Sequence, residues 1–392
     1  MRPFDYARTP PIHFGAGKLD RLPKLVRQFQ GQVVLLVTGG TSLQRSGNLA
    51  RVTSLLEQTG TTVSHVACSG EPTASMIDGV VASYRTRSVD VVVSIGGGSV
   101  VDAGKAISAM LPHDNSIIDH LEGVGRGLAH SGVKVPFVAV PTTSGTGSEV
   151  TKNAVICEVG VRGYKKSIRH DNFIPDAVIV DGELLTSCPR DVTAPCAMDA
   201  FTQLLEPFLS PRVSCITEAV AWSGLEAIKD GLLLACTTGA ADVAVRERLA
   251  YASLISGIAL ANDGLGIVHG LASPIGGFFT IPHGVVCGTL LASSVRANLR
   301  ALRQRDPRSP ALQKLARVGA LLAGSSRYSI DDSCDALVDI LDEWTTTLEI
   351  PKLSKFGVQE RDLDRILDLA ENRNNPIKLT RAEIRRLLEE RL

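Results

Sequence analysis

Gly96, Gly97, Gly98 and Ser99 stand between an apolar run and a segment with helical spacing. A helix N-terminus offers unpaired N–H groups and the positive end of its dipole, and glycines let an anion approach the backbone. The turn is therefore a candidate phosphate cradle, although a tight strand–helix turn without a ligand reads the same way. A second loop, Pro141-Thr142-Thr143-Ser144-Gly145-Thr146-Gly147-Ser148-Glu149, follows another apolar run. Its hydroxyls and backbone donors suit a ligand in the crevice at the carboxyl end of a sheet. A third turn, Gly39-Gly40-Thr41-Ser42, closes the first strong apolar run. An acid there would bind the ribose hydroxyls of a dinucleotide. Four neutral residues instead leave room for a 2′-phosphate, which leans the expected cofactor from NAD towards NADP.

Farther along, Asp199 and Gln203 are four apart in a helical segment and share one face. His269 and His283 follow in a glycine-rich stretch. Such side chains could hold a divalent ion. No tight ligand signature such as HExxH is present, and a lone histidine more often serves as a structural hydrogen-bonding group, so spacing alone leaves the choice open.

These residues need a frame. Apolar runs at 32–38, 61–67, 89–95, 135–140 and 177–180 read as strands, alternating with helical segments at 48–58, 76–84 and 100–110. Continuous apolar strands alternating with helices predict a parallel sheet covered on both faces. After residue 188 the period is helical: 195–208, 214–235, 241–261, 285–302, 311–323, 331–348, 360–370 and 380–388. Thr380 and Glu383 have capping-box spacing, and the polar, proline-containing stretch 303–309 reads as a surface loop. The expected architecture is an α/β N-terminal Rossmann-like domain, 1–187, followed by an all-α C-terminal domain, 188–392. A chain of 392 residues exceeds one ordinary core, which agrees with two domains.

Composition excludes other classes. The formal net charge is zero, with no basic tail, so neither nucleic acid nor a membrane surface is expected as a partner. No 18-residue apolar run suggests a membrane helix, and no apolar segment near the N-terminus suggests a secretory signal. The expected location is cytoplasmic. Eight scattered cysteines without a CxxC pair read as reduced thiols.

The order FGAG (14–17), GGGSVVDAGK (96–105), PTTSGTGSEVT (141–151), MDAFTQLLE (198–206), HGLASPIGG (269–277) and PHG (282–284) resembles the iron-containing, group III, alcohol dehydrogenases of the dehydroquinate synthase-like superfamily. The resemblance spans nearly the whole chain. It implies a site in the cleft between the domains, where hydride moves between a nicotinamide and a small alcohol or carbonyl substrate. It assigns the pyrophosphate to Gly96, Gly97, Gly98 and Ser99, with Asp102 close by, and the cofactor lining to Thr142, Thr143 and Thr146. Lys165, a better match than Lys166, falls on the nicotinamide ribose side, and Gly39 replaces the aspartate of NAD-using relatives.

The family's metal ligands are an aspartate and three histidines. Asp199, His269 and His283 match, while Gln203 stands where the remaining histidine belongs. Ser273 replaces a further histidine linked to proton transfer. A neutral amide is a weaker ligand than imidazole, so weaker Fe²⁺ or Zn²⁺ binding is expected. The ion would assist as a Lewis acid; without it, His269 and His283 would act as hydrogen-bond donors. Other readings are a maleylacetate reductase-like enzyme, a dehydroquinate synthase-like lyase and a non-catalytic nucleotide-binding relative. The resemblance also implies a homodimer or larger homo-oligomer.

Overall fold

The computed structural model describes residues 3–325 and 329–392. Six parallel strands form the first layer: β1 (Ile12–Phe14), β2 (Val33–Thr38), β3 (Thr62–Ala67), β4 (Val91–Gly96), β5 (Phe137–Pro141) and β8 (Ala177–Val180), in the order β1-β8-β5-β4-β2-β3. Val91, Val92, Val93 and Ile95 of β4 are fully buried, as a central strand between helical layers requires. Helix Gly98–Met110 follows β4 immediately and is buried from Val100 to Met110. Gly104 lets it press on the sheet, since a Cβ there would lie 2.7 Å from Ser94 Cβ and 2.9 Å from Phe137 Cε2.

After β3 the chain crosses back and lays β4 on the other side of β2. The order of strands therefore reverses between β2 and β4. In an open parallel sheet a ligand crevice forms at such a reversal, outside the carboxyl ends of the strands. Gly39-Gly40-Thr41 and Gly97-Gly98-Ser99 both sit there.

The second half is helical, led by Arg190–Leu209, Cys215–Ala235, Val243–Asp263, His283–Arg305, Pro310–Ala323 and Ile330–Thr347. Sheet and helices share one apolar cluster, in which Leu35, Val92 and Phe137 join Phe201, Leu204, Leu291 and Trp344. Thr380 and Glu383 do form the capping box that their spacing predicts. Among the described residues no single helix is long and apolar enough to cross a membrane. Helices Val243–Asp263 and Ile267–Phe278 reach that composition only together, across a 98° bend.

Besides β1 and the helix Leu22–Gln28, for which no element is expected, three regions depart from the sequence expectation. An antiparallel hairpin, β6 (Asn153–Glu158) with β7 (Tyr164–Arg169), lies where no strand is predicted. Its β7 sequence, YKKSIR, is largely polar because most of that strand is only partly covered. Helix Ile267–Phe278 is masked in the sequence by Gly270, Pro274, Gly276 and Gly277. The expected loop at 303–309 begins late. Helix His283–Arg305 continues through Arg303, which pairs with Asp331 and Asp335, and Arg305, which pairs with Glu383. Pro307 then follows, and its ring disfavours helix in the residue before it.

Candidate active site

The Gly-rich turn and the threonine loop meet at the ends of β4 and β5. Thr142 N–H donates to Gly96 O at 2.9 Å. A Cβ on Gly97 would lie 3.3 Å from the Thr143 side chain, and one on Gly98 would lie 2.4 Å from Thr146 Oγ1. Glycine is thus a steric requirement of this approach. The far side of the threonine loop rests on helix Val243–Asp263. Gly147, at φ 59°, comes so close that a Cβ would meet Gly257 N and Ser253 O at 2.5 Å.

Asp102 and Lys105 tie this region together. Ser148 Oγ donates to Asp102 Oδ1, and Val155 N donates to Oδ2 at 3.1 Å. Lys105 Nζ donates to Ser148 O at 2.8 Å and Asn153 O at 2.7 Å. Burial pushes Lys105 down to about 8, against the pull of Asp102 and Glu149, and burial pushes Glu149 up to about 7. Asp102 lines the pocket, but its carboxylate is occupied in fastening the loop and hairpin.

One pocket collects Gly98, Ser99, Asp102, Thr146, Lys165, Gln203, His269, Ser273 and His283. These residues come from the sheet end, the hairpin and three helices of the second half. Lys165 is on β7, with Nζ 3.1 Å from Glu71 Oε1. Ser273 Oγ donates to Lys165 O at 3.1 Å and so fastens helix Ile267–Phe278 to the hairpin. Gly39, Gly40, Thr41, Gly96, Gly97, Thr142 and Thr143 lie outside this lining, on the sheet-end turns beside it.

Asp199, His269, His283 and Cys287 form a tight group whose donor atoms all lie within 4.8 Å of one another. His269 Nε2 is 3.2 Å and His283 Nε2 3.8 Å from Asp199 Oδ1. His269 Nδ1 is 2.7 Å from Glu206 Oε2, which turns Nε2 into the group. Burial would raise the Asp199 carboxyl, but His283 and His269 hold it at about 2. Burial opposes charge on His269, yet Cys287, Glu206 and Asp199 carry it well above its ordinary value. Burial takes His283 down to about 4 and Cys287 up to about 12. A buried carboxylate, two converging imidazoles and a thiol at the edge of an apolar cluster are a donor set that fits a divalent ion.

Gln203 lines the same pocket, one turn along the helix from Asp199. Its Nε2 donates to Thr146 O at 2.7 Å and to Ser256 Oγ at 2.9 Å. A backbone carbonyl can only accept, so the orientation of the amide is settled.

A sequence profile of iron-containing alcohol dehydrogenases matches residues 9–182, and one of the family's C-terminal part matches 193–392. The chain belongs to the iron-containing alcohol dehydrogenase family. It is 32% identical to long-chain-alcohol dehydrogenase 1 of Geobacillus thermodenitrificans, over 97% of this chain and 95% of that one. It is 29% identical to the NADPH-dependent butanol dehydrogenase of Clostridium saccharobutylicum, over 96% and 95%. The crystal structure of a 1,3-propanediol oxidoreductase superposes with a TM-score of 0.88 at 28% identity, covering 100% of each chain. The protein is therefore an oxidoreductase of the NAD(P)-dependent alcohol dehydrogenase type, with an α/β sheet domain and a helical C-terminal region.

In this dehydrogenase, sequence reasoning missed Cys287, Glu206 and Glu71. Cys287 carried a usable signal. His283 is the first residue of its helix, so a cysteine four positions on shares its face one turn later. Glu206 and Glu71 had none, because only the tertiary fold sets them against His269 and Lys165.

Proposed function

We propose that the protein is an NADP-dependent alcohol dehydrogenase or aldehyde reductase acting on a small alcohol or carbonyl, with a divalent ion assisting. The observation carrying this reading is the shared pocket, in which the phosphate-type turn at Gly98 and Ser99 faces His269, His283 and Lys165. Gly96, Gly97, Gly98 and Ser99 hold the pyrophosphate against the start of helix Gly98–Met110, and Thr142, Thr143 and Thr146 line the cofactor. Gly39, Gly40 and Thr41 offer no carboxylate to repel a 2′-phosphate.

Asp199, His269 and His283 would hold the ion, with Glu206 fixing the His269 ring. When bound, the ion supplies Lewis-acid polarisation of a carbonyl or alcohol oxygen. The chain supplies the rest. Lys165 orients the nicotinamide ribose and is itself held by Glu71. Helix Ile267–Phe278 and the hairpin, joined through Ser273, wall the pocket from water. A serine is a poor acid or base near neutrality, and the Ser273 hydroxyl donates to Lys165 O, so Ser273 acts in positioning the helix against the hairpin. We place the boundary between sheet domain and helical domain at residues 187–188. We further assign the protein to the cytoplasm as a homo-oligomer, whose mass light scattering would give.

The test is kcat/KM for short aldehydes with NADPH and with NADH, with and without added divalent metal. NADPH should be preferred by about tenfold or more, and Gly39→Asp should shift the ratio towards NADH by a similar factor, because a carboxylate accepts from a ribose 2′-hydroxyl and repels a phosphate. Preference of the native chain for NADH would sink the NADP assignment. Failure to reduce any aldehyde with either cofactor would sink the wider reading.

A further inference from the structure

Cys287 is fully buried, and its polar contacts are all members of one group. Its Sγ lies 3.6 Å from His269 Nε2 and 3.7 Å from His283 Nε2. It also interacts with the Asp199 carboxylate. These separations can be compared with the edges of a metal-centred tetrahedron. With Zn–N and Zn–O bonds near ~2.0 Å and Zn–S near ~2.3 Å, the nitrogen–sulfur edge is about 3.5 Å and the oxygen–nitrogen edge about 3.3 Å. The nitrogen–sulfur distances of 3.6 and 3.7 Å lie close to the first value, and 3.2 Å between Asp199 Oδ1 and His269 Nε2 close to the second. The 3.8 Å from Asp199 Oδ1 to His283 Nε2 needs only a small inward movement of one ring.

Gln203 meanwhile is bonded into the threonine loop through both hydrogens of its amide. It offers at most a neutral oxygen. Thiolate is a softer donor than imidazole or an amide oxygen, and it favours zinc over the harder ferrous ion.

We infer that Cys287 is the fourth protein ligand of this chain's metal centre, replacing the imidazole absent at Gln203, and that the Asp199–His269–His283–Cys287 set makes it a zinc site. The inference rests on the metal-assisted reading above, in which the substrate oxygen would add to the four protein ligands as a fifth. Cys287 and His269 release protons to solvent as their bonds to the ion form.

The test uses the whole protein, stripped with a chelator and reloaded without oxygen from a mixture of equal Zn²⁺ and Fe²⁺. Elemental analysis should find about one zinc per chain, well in excess of iron. The Co²⁺-loaded protein should show the intense near-ultraviolet band of cobalt–thiolate charge transfer. Cys287→Ala should lose that band and bind Zn²⁺ about tenfold or more weakly in chelator competition, whereas Gln203→Ala should keep the band. The double variant Cys287→Ala, Gln203→His should recover zinc without recovering the band, which separates a lost ligand from a damaged fold. A cobalt-loaded native protein without the band, or iron retained in preference to zinc, overturns this inference and leaves metal-assisted hydride transfer standing. A chain that binds none of the three ions overturns both.

Discussion

Gly98 carries the closest approach between the two loops that frame the cofactor crevice. A Cβ at this position would lie 2.4 Å from Thr146 Oγ1 and 3.0 Å from its Cγ2. Thr146 cannot simply turn away, because its carbonyl accepts from Gln203 and its hydroxyl accepts from Ser148 N. Gly98→Val should therefore push the turn and the loop apart. The expected result is NADPH binding weakened about tenfold or more, roughly 1.4 kcal/mol, in a fluorescence titration of protein that remains folded by circular dichroism. Unchanged affinity would mean that the pyrophosphate lies elsewhere. The sequence shows the run of glycines but not the threonine that makes the last one obligatory. The same holds for Asp102 and Lys105. Both are plain in the GGGSVVDAGK motif, yet their work in tying Ser148, Asn153 and Val155 together is visible only once the hairpin is in place.

At the scale of elements, the hairpin is the main gain over the sequence. It sets Lys165 beside Glu71 and seats against helix Ile267–Phe278, the helix that bears His269 and Ser273. Gly160 N donates to Gly277 O at 3.1 Å, and a Cβ on Gly163 would meet the same carbonyl at 1.9 Å. No side chain fits between hairpin and helix there. Gly163→Val should lift the hairpin tip, cost about 1–3 kcal/mol of stability as overpacking does, and lower kcat/KM through displacement of Lys165. Urea unfolding and steady-state kinetics read the two effects, and a variant with native kinetics would argue against the hairpin as a wall of the site. Neither element follows from periodicity. Polar YKKSIR does not alternate like a half-buried strand, and a helix with three glycines and a proline does not look like one. Five of the six strands of the sheet were legible as largely apolar runs between turns, whereas β1, three residues at the sheet edge, was not.

For the molecule as a whole, a histidine cluster on the sheet domain, away from the pocket, contributes to acid sensitivity alongside His283. His130 is buried against Phe173, with the rings of His113, His120 and His170 around it. Its Nδ1 accepts from Gly132 N, and its Nε2 faces Ala109 O. Burial, then His113 and His120, lower it from 6.5 to about 4. Between those values the unfolded chain binds a proton that the folded chain refuses, so stability falls as pH drops from 6.5 towards 4 and levels off below. Urea unfolding at a series of pH values should show that decline, and His130→Gln should make it shallower, leaving the part that His283 contributes. An equal slope in the variant would move the cause to other groups. Sheet and helices also share a single apolar cluster, which the division into two halves at the sequence level does not suggest.

The sequence by itself determined the parallel sheet, the helical second half and the three turns at the ends of β2, β4 and β5, while three members of the candidate metal group came only from the family resemblance. These are local properties: a two-sided apolar run must be a buried strand, and a glycine turn must lie where a backbone comes close. Only the tertiary structure decided which side chains face one another. It bonded Gln203 into the threonine loop instead of leaving it free, set Glu206 behind His269, and brought Cys287 within 3.7 Å of both imidazoles. Such contacts depend on how helices far apart in the chain pack together, and no spacing along the sequence encodes them.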